Sequence, residues 1–332
     1  MFQFDPDPSD ALALLSRCPV YEPTPMRSTP DAAKALGCAD VLLKDETARM
    51  GLGSFKALGG VYAVADLVRS RRGSVAAGET ATDGLTVTCA SAGNHGLSVA
   101  AGAALFGAKA VIVLADTVPE SFAERLRSKG ADVLRHGAAY EDAMACSVDL
   151  AKQDGWELVS DTSWEGYTAA PSTIMRGYCV MAQEMSDTFR SKGEWPTHVA
   201  LQAGVGGLAA AVAAHIRSSW DVQPKIIVVE PERAACLKSS VETGRMTRAP
   251  GPVSNMGRLD CKDASLIAFE VLRDAADAFV TISDEEAAKM TTRLEGWGTH
   301  STPSGAAGLA GLTHAGLGTR SRALAIVSEG SS

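Results

Sequence analysis

One lysine stands where its amine could act chemically. Lys56 lies among small residues in the stretch 53–60, directly after an aromatic side chain and before an apolar helical pattern. Burial among Phe55, Leu58 and the glycines is expected to lower the pKa of the Lys56 amine, because the charged form loses its hydration. An uncharged lysine amine is a nucleophile for carbonyl carbons. A lysine that extends to solvent from a helix start is the alternative for this stretch taken alone.

Two further stretches suit an aldehyde that carries a phosphate as the partner of this amine. Residues 91–96 read SAGNHG, and residues 202–208 read QAGVGGL. Glycines let a backbone turn tightly, and free N–H groups at a helix start hold a phosphate dianion. We therefore predict a phosphate-binding turn formed by Gly204, Val205, Gly206, Gly207 and Leu208.

The same glycines also resemble a dinucleotide-binding fingerprint, in which an acidic residue further along the chain binds a ribose. The spacing Gly204-x-Gly206-Gly207 lacks the third glycine at its expected offset, and Glu230 is the acid that could bind a ribose. A proline follows Glu230 directly in a strand-end turn. We therefore rank a nucleotide-binding oxidoreductase, or a non-catalytic binding module, below an enzyme with an aldehyde cofactor.

The composition restricts the class of protein. The chain has 332 residues, of which 46% are apolar, so it can bury the core of one large or two ordinary domains. A formal net charge of −8 argues against nucleic acid or an anionic membrane as partner. The seven cysteines form no C-x-x-C pair, so neither a disulfide framework nor a zinc site is indicated. The first residues do not read as a signal peptide and no apolar run could span a bilayer, so we expect a cytoplasmic protein.

Predicted strands and helices alternate along most of the chain, which indicates an α/β protein with parallel sheets covered by helices. The predicted strands are 41–44, 85–89, 110–115, 132–135, 156–160, 198–202, 225–230, 278–282 and 324–327. The predicted helices are 11–15, 30–36, 57–69, 94–106, 119–129, 140–152, 173–189, 206–217, 265–273, 284–294 and 304–314. Helix 57–69 is expected to be amphipathic, with one buried face, and residues 71–83 to form a surface loop.

Several of these motifs begin where a predicted strand ends. Ser91, Asp161, Gly204 and Ser328 each stand at a junction between a strand and the following loop. In open parallel sheets, ligands bind beyond the carboxyl ends of the strands. We therefore expect these four positions to face one crevice.

Taken together, the three stretches resemble the pyridoxal-phosphate enzymes of the tryptophan synthase β fold type, which include the serine and threonine dehydratases. Residues 160–167, which read SDTSWEGY, resemble in particular the family of diaminopropionate ammonia-lyases. Residues 44–46, 49–52 and 270–279 are similar to the same family. The resemblance covers about residues 24 to 330.

The resemblance implies fold type II, with parallel twisted sheets flanked by helices in two domains. The large, cofactor-binding domain would comprise residues 1–50 and 166–332, and the small α/β domain residues 51–165. It further implies pyridoxal phosphate as cofactor, an amino acid as small-molecule substrate and a homodimer. The expected reaction is an α,β-elimination from a β-substituted amino acid, with L-2,3-diaminopropionate giving pyruvate and ammonia.

The resemblance also implies roles for individual residues. Lys56 would bond to the cofactor aldehyde and shuttle protons, and Asp161 would act as the second acid or base, although a helix-capping aspartate is the alternative. Asn94 would bind the ring hydroxyl, and Ser328 would face the pyridine nitrogen. The family's pattern gives His95 no catalytic role, so we expect a packed or capping histidine. The substrate would be bound by Ser91, Ala92, Gly93, Asp161 and Tyr167.

Two departures from the ammonia-lyase pattern concern the substrate. The family has an aspartate that serves the D-isomer where this chain has Ala92, and a glutamate where it has Pro303. Both changes remove a carboxylate that could bind a second amine. Narrower stereochemistry, or a β-hydroxy or acidic substrate, therefore stays open. A serine or threonine dehydratase, or a racemase of the same fold, is the alternative function.

Overall fold

The computed structural model describes residues 4–73 and 84–331. Its strands are β1 (Met26–Ser28), β2 (Asp40–Asp45), β3 (Thr86–Ala90), β4 (Lys109–Leu114), β5 (Asp132–Arg135), β6 (Glu157–Leu158), β7 (His198–Gln202), β8 (Lys225–Pro231), β9 (Ala278–Ile282) and β10 (Arg322–Val327). Its α-helices are α1 (Ser9–Leu15), α2 (Pro30–Leu36), α3 (Lys56–Arg72), α4 (Asn94–Phe106), α5 (Glu120–Arg127), α6 (Tyr140–Asp154), α7 (Ala169–Lys192), α8 (Gly207–Ser219), α9 (Cys236–Thr243), α10 (Leu266–Ala275), α11 (Asp284–Gly296) and α12 (Pro303–Gly311). Short 3-10 turns cover Arg49–Gly51, Glu232–Ala234 and Leu312–His314.

The strands form two sheets. The larger sheet has the order β1-β2-β10-β7-β8-β9, and the smaller one β5-β4-β3-β6. Every pairing is parallel except that of β1 with β2, which is antiparallel. Parallel sheets need both faces covered, and apolar side chains from the flanking helices bury both. The predicted α/β architecture, with parallel sheets flanked by helices, is confirmed.

The differences from the predicted elements are local. Strand β1 and helix α9 are absent from the predicted elements. The three residues of β1 are too few for a recognisable alternation, and the eight residues of α9 include few apolar ones. Helix α7 begins four residues earlier than predicted, because Pro171 is accommodated in its first turn. Of the predicted loop 71–83, residues 71 and 72 end α3, and residues 74–83 lie outside the described residues. Within the described part of the chain, no helix is long and apolar enough to cross a membrane.

Helix α3 is buried on most of its surface. The expectation of a single buried face is wrong, because α3 packs against both α4 and α7. Gly59 lies against Tyr178 of α7, and Gly60 lies against Ser98 of α4. Small residues on adjacent faces let both neighbours approach closely, and this double packing fixes the position of Lys56 at the start of the helix.

The loop before α3 is fastened to the C-terminal segment. The N–H of Phe55 donates to the carbonyl of Ser328 at 3.1 Å, and that of Gly330 donates to the carbonyl of Gly53 at 3.0 Å. Residues that are far apart in sequence are thereby held side by side. Lys56 is thus placed next to the end of β10.

A cluster of buried charges supports the same loop from the other side. Glu184 of α7 accepts from Lys44 Nζ at 2.6 Å and from Arg49 Nη2 at 2.8 Å, and Arg49 Nε also donates to Glu46 at 2.7 Å. All four side chains are at most 7% exposed. Two positive and two negative charges balance, and each is hydrogen-bonded, as a buried ionic cluster requires.

We expect Arg49→Met to lower the free energy of unfolding by about 3–5 kcal/mol, because it leaves two buried carboxylates without their main partner. Arg190 pairs with Asp221 on the surface and is the matched control. Arg190→Met should change stability by about 1 kcal/mol or less. Urea unfolding measures both, and equal losses would contradict the assigned importance of the buried cluster.

Candidate active site

A cavity of about 610 Å³ lies at the carboxyl ends of strands from both sheets. Segments that follow β3, β6, β7 and β10 contribute to its wall, as the strand-end argument predicts. The sequence-predicted residues on this wall are Lys56, Ser91, Ala92, Gly93, Asn94, Asp161, Gly204, Val205, Gly206, Gly207, Leu208 and Ser328. A volume of this size suits a small-molecule ligand with a cofactor.

Lys56 and Asp161 form an ion pair inside this cavity. Lys56 Nζ donates to Asp161 Oδ2, and the two side chains are 23% and 18% exposed. Burial opposes the charged form of Lys56, but the carboxylate of Asp161 outweighs burial and raises the pKa of the amine. Burial likewise acts to raise the pKa of Asp161, but the Lys56 ammonium outweighs it, so the pKa of the carboxyl is lowered. The expectation that burial lowers the pKa of Lys56 is therefore wrong.

Two aromatic rings lie beside the amine of Lys56. The amine lies 5.2 Å from the ring centre of Phe55 and 5.6 Å from that of Tyr178. The two rings pack edge to face, with centres 4.9 Å apart. Tyr178 also borders the glycine-rich turn, since a Cβ on Gly207 would lie 3.8 Å from its ring. The amine and the turn therefore belong to one site.

The turn between β7 and α8 has the form of an anion site. Gly206 has φ +100°, which strongly favours glycine, and a Cβ there would lie 2.7 Å from Ala268. Helix α8 begins at the next residue, and an α-helix leaves its first N–H groups without intrahelical acceptors. These N–H groups and the helix dipole favour an anion at this end of the cavity.

Asn94 is oriented by a carboxylate that the sequence analysis did not assign. Its Nδ2 donates to Glu329 Oε2, which leaves the amide oxygen and one N–H available to a ligand. The other oxygen of Glu329 accepts from Thr302 Oγ1. Glu329 is 5% exposed and lines the cavity directly after Ser328. Its place beside a predicted site residue at a strand end was the signal that could have identified it.

Tyr167 does not line this cavity. Its hydroxyl donates to the carbonyl of Leu158 at 2.7 Å and accepts from the N–H of Ser160 at 3.0 Å. Its ring stacks on Trp164 with centres 4.3 Å apart, and it borders a neighbouring cavity instead. The hydroxyl thus uses both its donor and its acceptor capacity to hold the segment that carries Asp161. The predicted direct contact of Tyr167 with substrate therefore has no support in this geometry, which indicates a supporting role.

His95 is a buried neighbour of the ion pair. Its Nε2 lies 2.7 Å from the carbonyl of Val159, which places the ring proton on that nitrogen. Its Nδ1 lies 4.0 Å from Asp161 Oδ2 and has no hydrogen-bond partner among the described residues. Burial lowers the pKa of His95, so it is neutral and leaves Lys56 as the cation that pairs with Asp161. This geometry agrees with the packed histidine expected from the sequence.

Glu230, the residue considered for ribose binding, is used elsewhere. Its two carboxylate oxygens accept from the N–H groups of Leu237 and Lys238, each at 2.8 Å. These N–H groups belong to the first turn of α9, and Glu230 is fully buried. A carboxylate with both oxygens engaged and no exposure cannot bind a ribose. Glu230 therefore cannot be the acidic residue of a dinucleotide-binding site.

Comparisons with known proteins show which family the chain is similar to. The family model described as pyridoxal-phosphate dependent enzyme matches residues 18–329. A diaminopropionate ammonia-lyase of Escherichia coli is 35% identical over 281 residues, which are 81% of this chain and 70% of that protein. The crystal structure of a holo diaminopropionate ammonia-lyase from Escherichia coli superposes with a TM-score of 0.89 at 30% identity, over 97% of this chain and 88% of that one. An L-threonine dehydratase of Salmonella typhimurium is 30% identical over 92% of this chain and 56% of its own length.

The donors around the cavity fit pyridoxal phosphate. A lysine amine, a glycine-rich turn at a helix start and an oriented amide face one enclosed space. They match an aldehyde, a phosphate and a ring hydroxyl respectively. The residues that would hold the cofactor are Lys56, Asn94, Gly204, Val205, Gly206, Gly207, Leu208 and Ser328.

Asp161→Asn should lower the pKa of Lys56 by about 1–3 units, because the opposing charge is lost while burial remains. A lysine that loses its proton more readily binds an aldehyde at lower pH. We therefore expect the pH midpoint for loading the apoenzyme with pyridoxal phosphate to fall by a similar amount. Absorbance during reconstitution across a pH series measures this midpoint.

The matched control is Asp260→Asn, which removes a carboxylate from the same cavity that pairs with Lys262 instead. Its midpoint should equal that of the unchanged protein. Identical midpoints in all three proteins would show that Asp161 does not set the protonation of Lys56.

Proposed function

Because the chain belongs to the family of pyridoxal-phosphate dependent enzymes, we propose that it is an ammonia-lyase acting on a β-substituted amino acid. The proposed substrate is L-2,3-diaminopropionate, and the products are pyruvate and ammonia. The single observation that carries the proposal is the ion pair of Lys56 with Asp161 inside the cavity. The similarity to diaminopropionate ammonia-lyases supports the same reaction.

The cofactor supplies an aldehyde that accepts the substrate amine and a conjugated ring that draws electrons from the α-carbon. The remaining steps use the protein's own groups. Lys56 must first become reactive, because Asp161 stabilises the charged form of its amine. A charged ammonium is not a nucleophile, so the ion pair has to be relieved before Lys56 can act.

A cationic β-substituent on the substrate would provide this relief. A second ammonium group close to Asp161 competes with Lys56 for the carboxylate, and like charges favour loss of a proton. The Lys56 amine would then be uncharged at the moment the substrate is in place. Among β-substituted amino acids, diaminopropionate carries such a group, whereas serine and threonine carry a neutral hydroxyl. The position of Asp161 therefore favours the diamine.

The uncharged Lys56 amine can then serve as a general base. We propose that its Nζ accepts the α-proton of the substrate, and that the electrons of the α C–H bond form a double bond to the β-carbon. The β-ammonium group, which already carries its protons, leaves as ammonia when its bond to the β-carbon breaks. Asp161 would hold that nitrogen within reach of Lys56 and would stabilise its positive charge. Segment 91–93, at the start of α4, would hold the substrate carboxylate.

One observation favours a second function. Ala92 lines the cavity where diaminopropionate ammonia-lyases have an aspartate, so position 92 offers no carboxylate for an amine. A dehydratase or racemase acting on serine, threonine or another β-hydroxy amino acid fits such a wall. The L-threonine dehydratase among the relatives is consistent with that alternative.

The assembly state and location stay predictions. We expect a homodimer, which light scattering coupled to gel filtration would test. We expect the protein in the cytoplasm, which fractionation of cells would test.

The ratio of products separates the two functions. Elimination from L-2,3-diaminopropionate followed by hydrolysis yields two ammonia molecules for each pyruvate, whereas L-serine yields one. We expect the holoenzyme to release keto acid fastest from L-2,3-diaminopropionate, with a ratio of two. Coupled assays for pyruvate and ammonia measure it. Faster release from L-serine or L-threonine would favour the dehydratase instead.

Two lysine variants control this measurement. Lys56→Ala should abolish turnover and the borohydride-reducible chromophore together, because no other residue is proposed to bind the aldehyde. Lys262→Ala removes a lysine from the same cavity that pairs with Asp260, and it should keep the chromophore. Retained turnover in Lys56→Ala would remove this lysine from the mechanism.

The stereochemistry of the substrate should depend on position 92. We expect the unchanged enzyme to prefer L-2,3-diaminopropionate, and Ala92→Asp to gain measurable activity on the D-isomer by supplying the carboxylate found in the related family. Ala92→Asn, which has nearly the same size but no charge, should show no gain. Pyruvate release from each isomer measures the effect, and an unchanged isomer ratio in Ala92→Asp would rule out this position as the determinant.

A further inference from the structure

Arg258 is a cation on the cavity wall that the proposed function has not used. It lies in the loop 244–265 between α9 and α10, where its backbone N–H donates to Ser304 Oγ at 3.1 Å. Its side chain is 35% exposed and lines the cavity. The backbone is therefore fixed, while the guanidinium faces the ligand space.

The guanidinium lies directly against the loop that begins α4. A Cβ on Gly93 would be 3.0 Å from Arg258 Nη1 and 3.5 Å from its Cζ, so only a hydrogen atom fits between them without displacement. On the outer side, Arg258 Cζ lies 5.9 Å from the ring of Phe122 in α5. The positive charge is thus held beside residues 91–93, whose N–H groups are proposed to bind the substrate carboxylate.

Hydrogen-bonding partners for this charge are incomplete within the protein. The nearest carboxylate oxygen is Glu329 Oε2, which lies 3.7 Å from Arg258 Nε, beyond hydrogen-bond distance. Both oxygens of Glu329 already accept closer donors, from Asn94 and Thr302. Across residues 4–73 and 84–331, the Arg258 side chain makes no hydrogen bond.

The other two positive side chains of the loop that line the cavity are satisfied. Arg248 Nη1 donates to Asp263, and Lys262 Nζ donates to Asp260, although both cations line the same cavity. The open donors of Arg258 are therefore a local feature rather than a general property of this wall.

We infer that Arg258 binds the α-carboxylate of the amino acid substrate, together with the N–H groups of residues 91–93. A guanidinium presents two parallel donors that match a carboxylate, and such charge-assisted pairs are the stronger hydrogen bonds of proteins. The inference rests on the proposed function, since it presumes an amino acid in the cavity. It makes Arg258 a determinant of substrate binding, distinct from the proton transfers of Lys56.

The test compares ligands that differ only in the carboxylate. L-Alanine has no leaving group, so it binds without elimination, and L-alaninamide replaces its carboxylate with a neutral amide. Absorbance titration of the holoenzyme with each gives a ratio of dissociation constants. We expect the unchanged enzyme to prefer L-alanine, and Arg258→Met to weaken L-alanine binding by about 10- to 100-fold while L-alaninamide changes little.

Two further variants make the result specific. Arg258→Lys keeps the positive charge but loses the two parallel donors of the guanidinium. It should therefore recover only part of the preference for L-alanine over L-alaninamide. Arg248→Met removes a cation from the same cavity and should leave both dissociation constants unchanged. With L-2,3-diaminopropionate, Arg258→Met should raise KM more than it lowers kcat.

Equal preference for L-alanine in Arg258→Met and Arg248→Met would overturn the inference. Titration with L-aspartate adds a ligand with a second carboxylate. If Arg258→Met weakened the binding of L-aspartate but not that of L-alanine, the inference would be overturned as well, because Arg258 would then bind a side-chain carboxylate. L-Alanine could change the absorbance of the holoenzyme in the way expected for Arg258 while no amino acid releases a keto acid. That result would refute the proposed elimination but leave the role of Arg258 supported. A holoenzyme whose absorbance responds to neither alanine compound would count against both.

Discussion

The ion pair of Lys56 with Asp161 determines the electrostatics of the site. Lys56 begins α3, whose loop is fastened to β10 of the larger sheet, and Asp161 follows β6 of the smaller sheet. The pair therefore joins the two sheets across the cavity. It also keeps the amine charged, because attraction by a close carboxylate exceeds the penalty of burial. The reactivity of the lysine consequently depends on what else enters the cavity, and a cationic substrate is suited to change that balance.

The charges around the pair are arranged by the starts of two helices and by one acidic residue. Helices α4 and α8 both begin at the cavity, so two sets of N–H groups and two positive dipole ends point at the ligand space. Glu329 lines the same cavity and orients Asn94. A ligand that bears a phosphate at one end and a carboxylate at the other is complementary to this pattern, and Arg258 adds to the carboxylate side.

The precision of the site depends on contacts outside it. The loop that leads to Lys56 is held by the cluster of Lys44, Glu46, Arg49 and Glu184, which is fully paired and almost completely buried. Close packing of α3 between α4 and α7 then fixes the helix start. A lysine on a flexible loop would sample many positions, whereas this one is restricted by structure on both sides. Tyr167 likewise supports the site from outside, because its hydroxyl holds the segment of Asp161 and not a ligand.

The sequence alone determined the parts of the protein that follow from local rules. Glycine-rich turns, helix starts and the alternation of strands with helices are local. Parallel strands bring their carboxyl ends together, so Ser91, Asp161, Gly204 and Ser328 could be assigned to one crevice. Only the tertiary structure decided how the charges pair. The partner of Lys56 is 105 residues away, Glu329 reaches Asn94 across 235 residues, and Arg258 approaches Gly93 from a distant loop. The direction of a pKa shift depends on such contacts, because Coulomb attraction between neighbouring charges outweighs the burial that a sequence can indicate.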